Sequence, residues 1–154
     1  MSRSNHTNTF QYATTGQTRV RREIEIFYVI DPDEAVHDAL AALLGATGSR
    51  VVCYPSAEAF LGSEVTHNGM RGLVLAEANL PGMGSLALLR RLRDQGVDLP
   101  VVVLTSTSNR DIADQALKAG AVEVIEKPLV HGRLLKRIWH LVHNSDGVGT
   151  ELNG

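Results

Sequence analysis

The chain has 154 residues, about the size of one domain, which is long enough to bury roughly two thirds of the surface that its unfolded form exposes. Hydrophobic residues make up 44% and charged residues 21%, and no apolar run approaches the roughly 20 residues that a membrane span needs. The net charge of -2 gives no overall basic field for nucleic acid. We therefore expect a soluble domain, and a cytoplasmic one because the amino terminus lacks an apolar secretory segment.

Polar segments flank the part of the chain that has regular patterns. Residues 1–23 are rich in Ser, Thr, Asn and Gln and lack apolar periodicity, which predicts a flexible tail. Residues 144–154 are polar and glycine-rich, which predicts a second flexible tail. Between them, residues 24–143 alternate short β-rich runs with helical patterns. The candidate strands are EIFYVI, RVVCY, RGLVLAE, LPVVVL and AVEVI.

Apolar residues at helical spacing occupy the segments that connect these strands. The predicted helices cover residues 33–47, 56–62, 85–95, 108–119 and 129–143. Their predicted amino-terminal caps are Asp33, Ser56, Ser85 and Ser108, the last in a capping-box variant with Asp111. Gly48, Gly96 and Gly120 suit helix carboxyl termini. Five alternating units predict an α/β fold, a doubly wound parallel sheet of five strands with five helices.

Polar residues stand where the predicted strands end. Asp31 follows the first strand, Glu77 ends the third and Thr105 the fourth, while the fifth runs into Lys127 and Pro128. In open parallel sheets, sites lie at the carboxyl ends of the strands. We therefore expect these side chains to converge in one crevice.

The ordered blocks YVIDPDEAVHDALAALL, YPSAEAFL, LVLAEANLPGM, LPVVVLTS and LKAGAVEVIEKP resemble those of bacterial response-regulator receiver domains, the CheY-like superfamily. The resemblance covers residues 25 to about 143 and assigns 24–143 to a receiver domain. It implies a flavodoxin-like sheet with the strand order 2-1-3-4-5. In that family, two acids after the first strand and an aspartate ending the third bind Mg²⁺, and the aspartate accepts a phosphoryl group from a histidine kinase. The resemblance therefore implies a signalling module of two-component or phosphorelay type rather than an enzyme.

Carried over residue by residue, the resemblance places Asp31 in the acidic pocket, Thr105 and Lys127 in the phosphate pocket, and a cis bond before Pro128. The phosphoacceptor position, four residues before Pro81, holds Glu77 instead of aspartate. The resemblance thus indicates an atypical receiver, a pseudo-receiver without the phosphoacceptor aspartate.

Two more positions depart from the family pattern. Pro32 replaces the second acid, and Val124 replaces the aromatic residue that the family uses as a switch. The additional methylene of Glu77 displaces its carboxylate, and misplacement by about 1 Å can cost roughly 100-fold in rate. Loss of the acid at Pro32 weakens a Mg²⁺ site. We expect signalling without phosphorylation, no required cofactor, and at best weak metal binding at Asp31.

The longer Glu77 side chain is predicted to lie within salt-bridge reach of Lys127 and to approach Thr105. It would then occupy part of the space of an aspartyl phosphate, with about one negative charge against roughly 1.5 to 2 on a phosphate monoester. Glu77 is thus expected to act as an imperfect phosphate mimic.

The resemblance implies output through the face formed by helix 4, strand 5 and helix 5. Trp139, the single tryptophan, lies in helix 5 near the edge of its apolar stripe and is an interface candidate or, equally, a core residue. The expected partner is a protein, either a histidine kinase, another regulator or a second copy in a homodimer. No direct contact with nucleic acid or a membrane is expected.

Three alternatives remain open at this point. In the first, the chain is a receiver that is still phosphorylated, weakly or at another residue. It is the receiver part of a helix-turn-helix transcriptional regulator, because LRRLRDQGVDLPVVVLT resembles receivers attached to such DNA-binding modules. More distantly, it is an enzyme on a flavodoxin-like sheet, which flavin absorbance would reveal.

Overall fold

A computed structural model describes residues 26–63, 72–128 and 131–147, with the backbone alone for residues 131, 132 and 142–147. The tail expected at residues 1–23 lies outside this part of the chain. The last helix runs to Gly147, four residues into the second expected tail, and the remainder of that tail also lies outside. No helix in the described residues is long and apolar enough to cross a membrane.

Within residues 26–63, 72–128 and 131–147, five parallel strands form one sheet in the order β2-β1-β3-β4-β5, which confirms the predicted topology. The central strands β1, β3 and β4 are buried along their whole length, whereas the edge strands are partly exposed. The strands are β1 Ile26–Ile30, β2 Arg50–Tyr54, β3 Leu73–Glu77, β4 Val101–Thr105 and β5 Glu123–Glu126.

In the part of the chain that the structure describes, five helices alternate with the strands, as predicted. They are α1 Glu34–Gly45, α2 Ala57–Leu61, α3 Ser85–Asp94, α4 Arg110–Ala119 and α5 His131–Gly147. Helix α5 belongs to a compact unit separate from residues 25–129. Within it, Leu134 and Ile138 are buried, while Trp139 is exposed.

Two of the predicted caps are confirmed and two are wrong. Asp33 and Ser56 accept backbone N–H groups at the starts of α1 and α2. Ser85 is instead the first helical residue of α3, after Gly84, and its hydroxyl donates to the carbonyl of Ala78 at 2.9 Å.

The cap of α4 is Asn109 rather than Ser108. The backbone is still extended at Asn109, and its side-chain oxygen accepts the N–H of Asp111 at 2.8 Å. The predicted capping box between Ser108 and Asp111 is therefore wrong by one residue. Helix α4 ends at Gly120, whose φ of 119° is the left-handed conformation that glycine adopts at low cost.

Alternate residues of the central strands build the core on one face of the sheet. Ile26, Tyr28 and Ile30 of β1 share this cluster with apolar residues of three helices, among them Phe60, Leu88 and Ala116. Burying one such large side chain stabilises the fold by about 1.5 to 3 kcal/mol. This packing fixes the positions at which the strands end.

Candidate functional site

The four polar residues predicted to converge do so at the carboxyl edge of the sheet. Asp31 directly follows β1, Glu77 and Thr105 end β3 and β4, and Lys127 directly follows β5. Asp31, Glu77 and Thr105 are only 3%, 8% and 4% exposed, so their polar groups need partners within the protein. Two salt bridges and the strand register place these side chains around one crevice.

Lys127 bridges the two carboxylates. Its Nζ lies 2.5 Å from Glu77 Oε1 and 3.3 Å from Asp31 Oδ2, which confirms the predicted pair with Glu77. Partial burial lowers the pKa of Lys127, but the hydrogen bonds and negative charges of Glu77 and Asp31 outweigh burial and raise the pKa above its usual value. The crevice therefore contains a resident ammonium group.

The other oxygens at the strand ends accept backbone N–H groups from their own loops. Asp31 Oδ1 accepts the N–H of Asp33 at 2.8 Å, and Glu77 Oε2 accepts the N–H of Asn79 at 2.8 Å. Thr105 Oγ1 accepts the N–H of residue 107 at 3.2 Å. In all three loops the donor lies two residues after the acceptor, a local arrangement that Asp and Thr side chains favour in turns.

Thr105 does not take the expected role beside Glu77. Its hydroxyl lies within 3.5 Å of the carbonyl of Thr107, to which it donates, so both functions of the hydroxyl are used inside the β4–α4 loop. In the hydrogen bonds of the described residues, Glu77 contacts Lys127 and Asn79 instead of Thr105. The Glu77–Thr105 contact predicted from the sequence is therefore not present.

The β1–α1 loop is fixed around Asp31 by further bonds. Asp33 Oδ1 accepts the N–H of Ala35 at 2.9 Å, and His37 Nε2 lies 2.6 Å from the carbonyl oxygen of Asp31. A carbonyl accepts hydrogen bonds only, so Nε2 carries the hydrogen. Pro32 is exposed and contributes no oxygen ligand from its side chain.

The residues of this crevice do not fit the Mg²⁺ ion that the resemblance implies. All four carboxylate oxygens of Asp31 and Glu77 already have partners, and one oxygen of each faces the ammonium group of Lys127. Mg²⁺ needs near-octahedral oxygen ligands, and Pro32 supplies none from its side chain. Within the described residues, no group of three or more acidic, His or Cys side chains is arranged to hold a metal ion.

The remaining predicted positions lie farther along the chain. Val124 is half-buried in β5, and the bond between Lys127 and Pro128 is cis, as the resemblance implies. Trp139 is 55% exposed and its ring contacts that of His140 edge-on at 5.4 Å, so the core alternative for Trp139 is wrong. Because α5 belongs to a separate compact unit, the face formed by α4, β5 and α5 remains a prediction.

Three contributors to the site were not predicted from the sequence. The N–H of Asn79 was open to prediction, because it follows Glu77 by the same two-residue step that links Asp33 to Asp31. The contact of His37 with the first loop, and that of Glu58 with the N–H of Met83 at 2.9 Å, depend on packing that no local pattern encodes.

Comparison with known proteins places this geometry in a family. The family "Response regulator receiver domain" matches residues 27–139. The chain is 38% identical over 101 residues to the transcriptional regulatory protein FixJ of Azorhizobium caulinodans, covering 66% of this chain and 47% of FixJ. It is 31% identical over 124 residues to the response regulator protein TodT of Pseudomonas putida strain F1, covering 80% and 54%. The chain thus spans about half the length of the curated relatives it matches.

Solved structures agree with the sequence comparison. The crystal structure of FixJ-N superposes with a TM-score of 0.71 at 30% identity, covering 79% of this chain and 96% of that one. Full-length FixJ from B. japonicum gives a TM-score of 0.72 at 30% identity, covering 81% and 61%. With the sheet order and the strand-end crevice, these matches show that the chain belongs to the response regulator receiver domain family of two-component signalling.

Proposed function

We propose that this chain is an atypical receiver domain that signals by protein contact and without phosphorylation at the strand-three position. The observation that carries the proposal is that every side-chain oxygen of Asp31, Glu77 and Thr105 already has a hydrogen-bond partner. Both oxygens of Asp31, both oxygens of Glu77 and the hydroxyl of Thr105 have partners within the protein. Lys127 supplies the positive charge among them.

The chemistry of phosphoryl transfer argues against ordinary phosphorylation at Glu77. That reaction depends on positioning and on a metal ion that neutralises developing charge. Glu77 reaches one methylene farther than aspartate would, and the donor set does not fit Mg²⁺. Both features lower the rate of transfer to the same carboxylate.

The salt bridges of Lys127 can hold the signalling surface in one arrangement without a phosphoryl group. Lys127 links the ends of β1, β3 and β5 through its contacts with Asp31 and Glu77. Glu77 thereby holds these loops in one arrangement, as a mimic with one negative charge. Val124 is too short and too restricted in χ1 to perform the swing of the family's aromatic residue. The proposed output is therefore a fixed surface for a protein partner.

The same proposal includes a binding partner and a cellular compartment for the domain. The partner is a histidine kinase, another regulator or a second copy of the chain, bound through α4, β5 and α5, with exposed Trp139 as a candidate contact. The domain covers residues 24–143, acts in the cytoplasm, performs no enzymatic reaction and needs no cofactor. It contacts neither a membrane nor, within this domain, nucleic acid.

A second candidate function is favoured by the names of the relatives. FixJ is called a transcriptional regulatory protein, and the chain spans about half of it. Under this candidate, the domain is the receiver part of a helix-turn-helix transcriptional regulator and acts through a DNA-binding module. Specific binding of a promoter fragment by the full gene product, absent in residues 24–143 alone, would support it.

Mass spectrometry after incubation with a small acyl phosphate and Mg²⁺ tests the first proposal. We expect no phosphate on the wild type and partial phosphorylation of the double variant Glu77→Asp, Pro32→Asp, because it regains both acids of the family pattern. Pro32→Asp alone is the matched control and should stay unmodified at Glu77. Phosphorylation of the wild type at Glu77 or a neighbouring residue, at the rate of the double variant, would overturn the proposal.

A further inference from the structure

The loop between β3 and α3 is held from outside by a side chain of another helix. Glu58, in the first turn of α2, accepts the N–H of Met83 through Oε2 at 2.9 Å, across 25 positions of sequence. This hydrogen bond lowers the pKa of the Glu58 carboxyl, so the carboxylate is charged at neutral pH. The contact is thus a charge-assisted hydrogen bond between two distant segments.

The tip of this loop is shaped to admit the carboxylate. Gly82 has φ of +72°, a conformation that L side chains rarely adopt. A Cβ atom at Gly82 would lie 2.7 Å from Glu58 Oε2, which is closer than real contacts allow. The absence of a side chain at Gly82 therefore makes room for the bond to Met83.

Other anchors fix the two ends of the loop and the body of Met83. The N–H of Ala78 donates to the carbonyl of Leu104 at 2.7 Å, and Ser85 Oγ donates to the carbonyl of Ala78 at 2.9 Å. The side chain of Met83 packs against the core cluster. Glu58 supplies the polar contact that fixes the exposed tip between these anchors.

The same loop also carries a hydrogen-bond donor of the crevice. Asn79 donates its N–H to Glu77 Oε2 at 2.8 Å, and the other oxygen of Glu77 faces Lys127. Asn79 is exposed, so water competes for its N–H whenever the loop moves. The orientation of Glu77 toward Lys127 thus depends on a loop that Glu58 holds.

We infer that Glu58 is a positioning residue of the crevice, which acts through the β3–α3 loop to keep the Asn79 N–H on Glu77 and Glu77 on Lys127. This role rests on the proposed function, because the orientation of Glu77 matters for signalling if Glu77 itself sets the arrangement of the loops. Glu58 lies on the surface of α2 and takes no direct part in the crevice.

Two NMR measurements on the unphosphorylated protein test this inference, namely amide exchange at Asn79 and titration of the Lys127 ammonium group. In Glu58→Ala we expect exchange at Asn79 to rise about 3- to 10-fold, as for loss of one hydrogen bond. The Lys127 titration should move down toward its ordinary value. Glu58→Gln retains an acceptor oxygen and should keep most of both wild-type values.

Asp111→Ala is the matched control, because Asp111 is another exposed acid in a first helical turn, that of α4. It should leave Asn79 and Lys127 unchanged. If Glu58→Ala alters Met83 alone and leaves Asn79 exchange and the Lys127 titration at wild-type values, Glu58 is a local contact and the inference is wrong. That outcome would not contradict the proposed function. Phosphorylation of the wild type would contradict the proposed function, but it would not change Asn79 exchange or the Lys127 titration measured on the unphosphorylated protein.

Discussion

The ends of β3 and β4 are neighbours in the sheet, yet they are held in different ways. Glu77 at the end of β3 bonds to Lys127, 50 positions later in the sequence, and Lys127 bonds to Asp31, 96 positions earlier. At the end of β4, the hydroxyl of Thr105 bonds to Thr107 in its own loop, while its carbonyl accepts the N–H of Lys127 at 2.7 Å. Charged side-chain contacts between distant elements therefore fix one half of the crevice, whereas the side-chain contacts of the other half are neutral and local.

This difference indicates which loop can rearrange at low cost. The β4–α4 loop continues the local pattern, because Thr107 Oγ1 accepts the N–H of Asn109 at 3.1 Å and Asn109 accepts that of Asp111. Each neutral bond of this kind contributes about 0.5 to 1.5 kcal/mol. Separating Glu77 from Lys127 also leaves a nearly buried carboxylate without its cation, which costs more.

The largest effect is expected when the charged half loses its cation. Lys127→Ala should lower the free energy of unfolding by about 2 to 4 kcal/mol, below the usual range for a fully buried pair because the Lys127 side chain is 21% exposed. Urea unfolding followed by circular dichroism measures this. The cause is the repulsion and incomplete solvation of two neighbouring carboxylates.

A double variant isolates that cause. Lys127→Ala combined with Glu77→Gln should recover a substantial part of the lost stability, because only one buried charge then remains. Mg²⁺ at millimolar concentration should also partly restore Lys127→Ala while leaving the wild type almost unchanged. Equal stability of the single and double variants would show that lost packing, and not unpaired charge, explains the effect.

The salt bridges of Lys127 should also make the free energy of unfolding depend on pH in the alkaline range. Because the folded pKa of Lys127 is raised, its contribution is complete below the ordinary lysine pKa of about 10.4 and is lost as the pH rises through the folded pKa. Burial, followed by the charge of Tyr54, also raises the pKa of Tyr28. Ionisation of Tyr28 therefore lowers the free energy of unfolding as the pH rises, as loss of the Lys127 charge does.

Comparison with Lys127→Met separates the two sources. The variant retains Tyr28 and Cys53, whose pKa values burial raises, so its alkaline loss of stability reports these groups without Lys127. We expect the wild type to lose stability more steeply than Lys127→Met above about pH 10, in urea titrations at several pH values. Parallel curves would mean that Lys127 gains nothing from Glu77 and Asp31 on folding.

A smaller effect is expected from the neutral half. Thr105→Val keeps the shape of the side chain but removes the acceptor for the Thr107 N–H, which should cost about 1 kcal/mol. Thermal unfolding measures it, and the Lys127 titration should not change. A shift of that titration would show that the two halves are coupled and would weaken the contrast between them.

The smallest pair of effects concerns the start of α4. Asn109→Ala should cost about 0.5 kcal/mol, the low end for a helix cap because Asn109 is exposed, whereas Ser108→Ala should be nearly neutral. Thermal unfolding of the two alanine variants under one condition is sufficient. A larger loss for Ser108→Ala would restore the cap that the sequence alone had favoured.

The sequence was most informative where a general rule of parallel sheets applies. Alternation of strands and helices predicted the doubly wound parallel sheet, and the rule that sites lie at carboxyl ends predicted the meeting of Asp31, Glu77, Thr105 and Lys127. The sequence was less informative where a side chain has several possible hydrogen-bond partners nearby. Thr105 turns to its own loop, and Asn109 takes the cap from Ser108, because differences of about 1 kcal/mol between local conformers decide such choices.

The edge strand β5 has a consequence for behaviour at high concentration. An unpaired strand edge invites addition of a strand from another molecule, and short length, charged residues and proline all oppose it. β5 has four residues, begins at Glu123 and ends at the exposed Glu126, and the chain then passes through Lys127 into Pro128, which has no N–H to donate. The residues that complete the crevice thus also limit how far this edge can seed an aggregate.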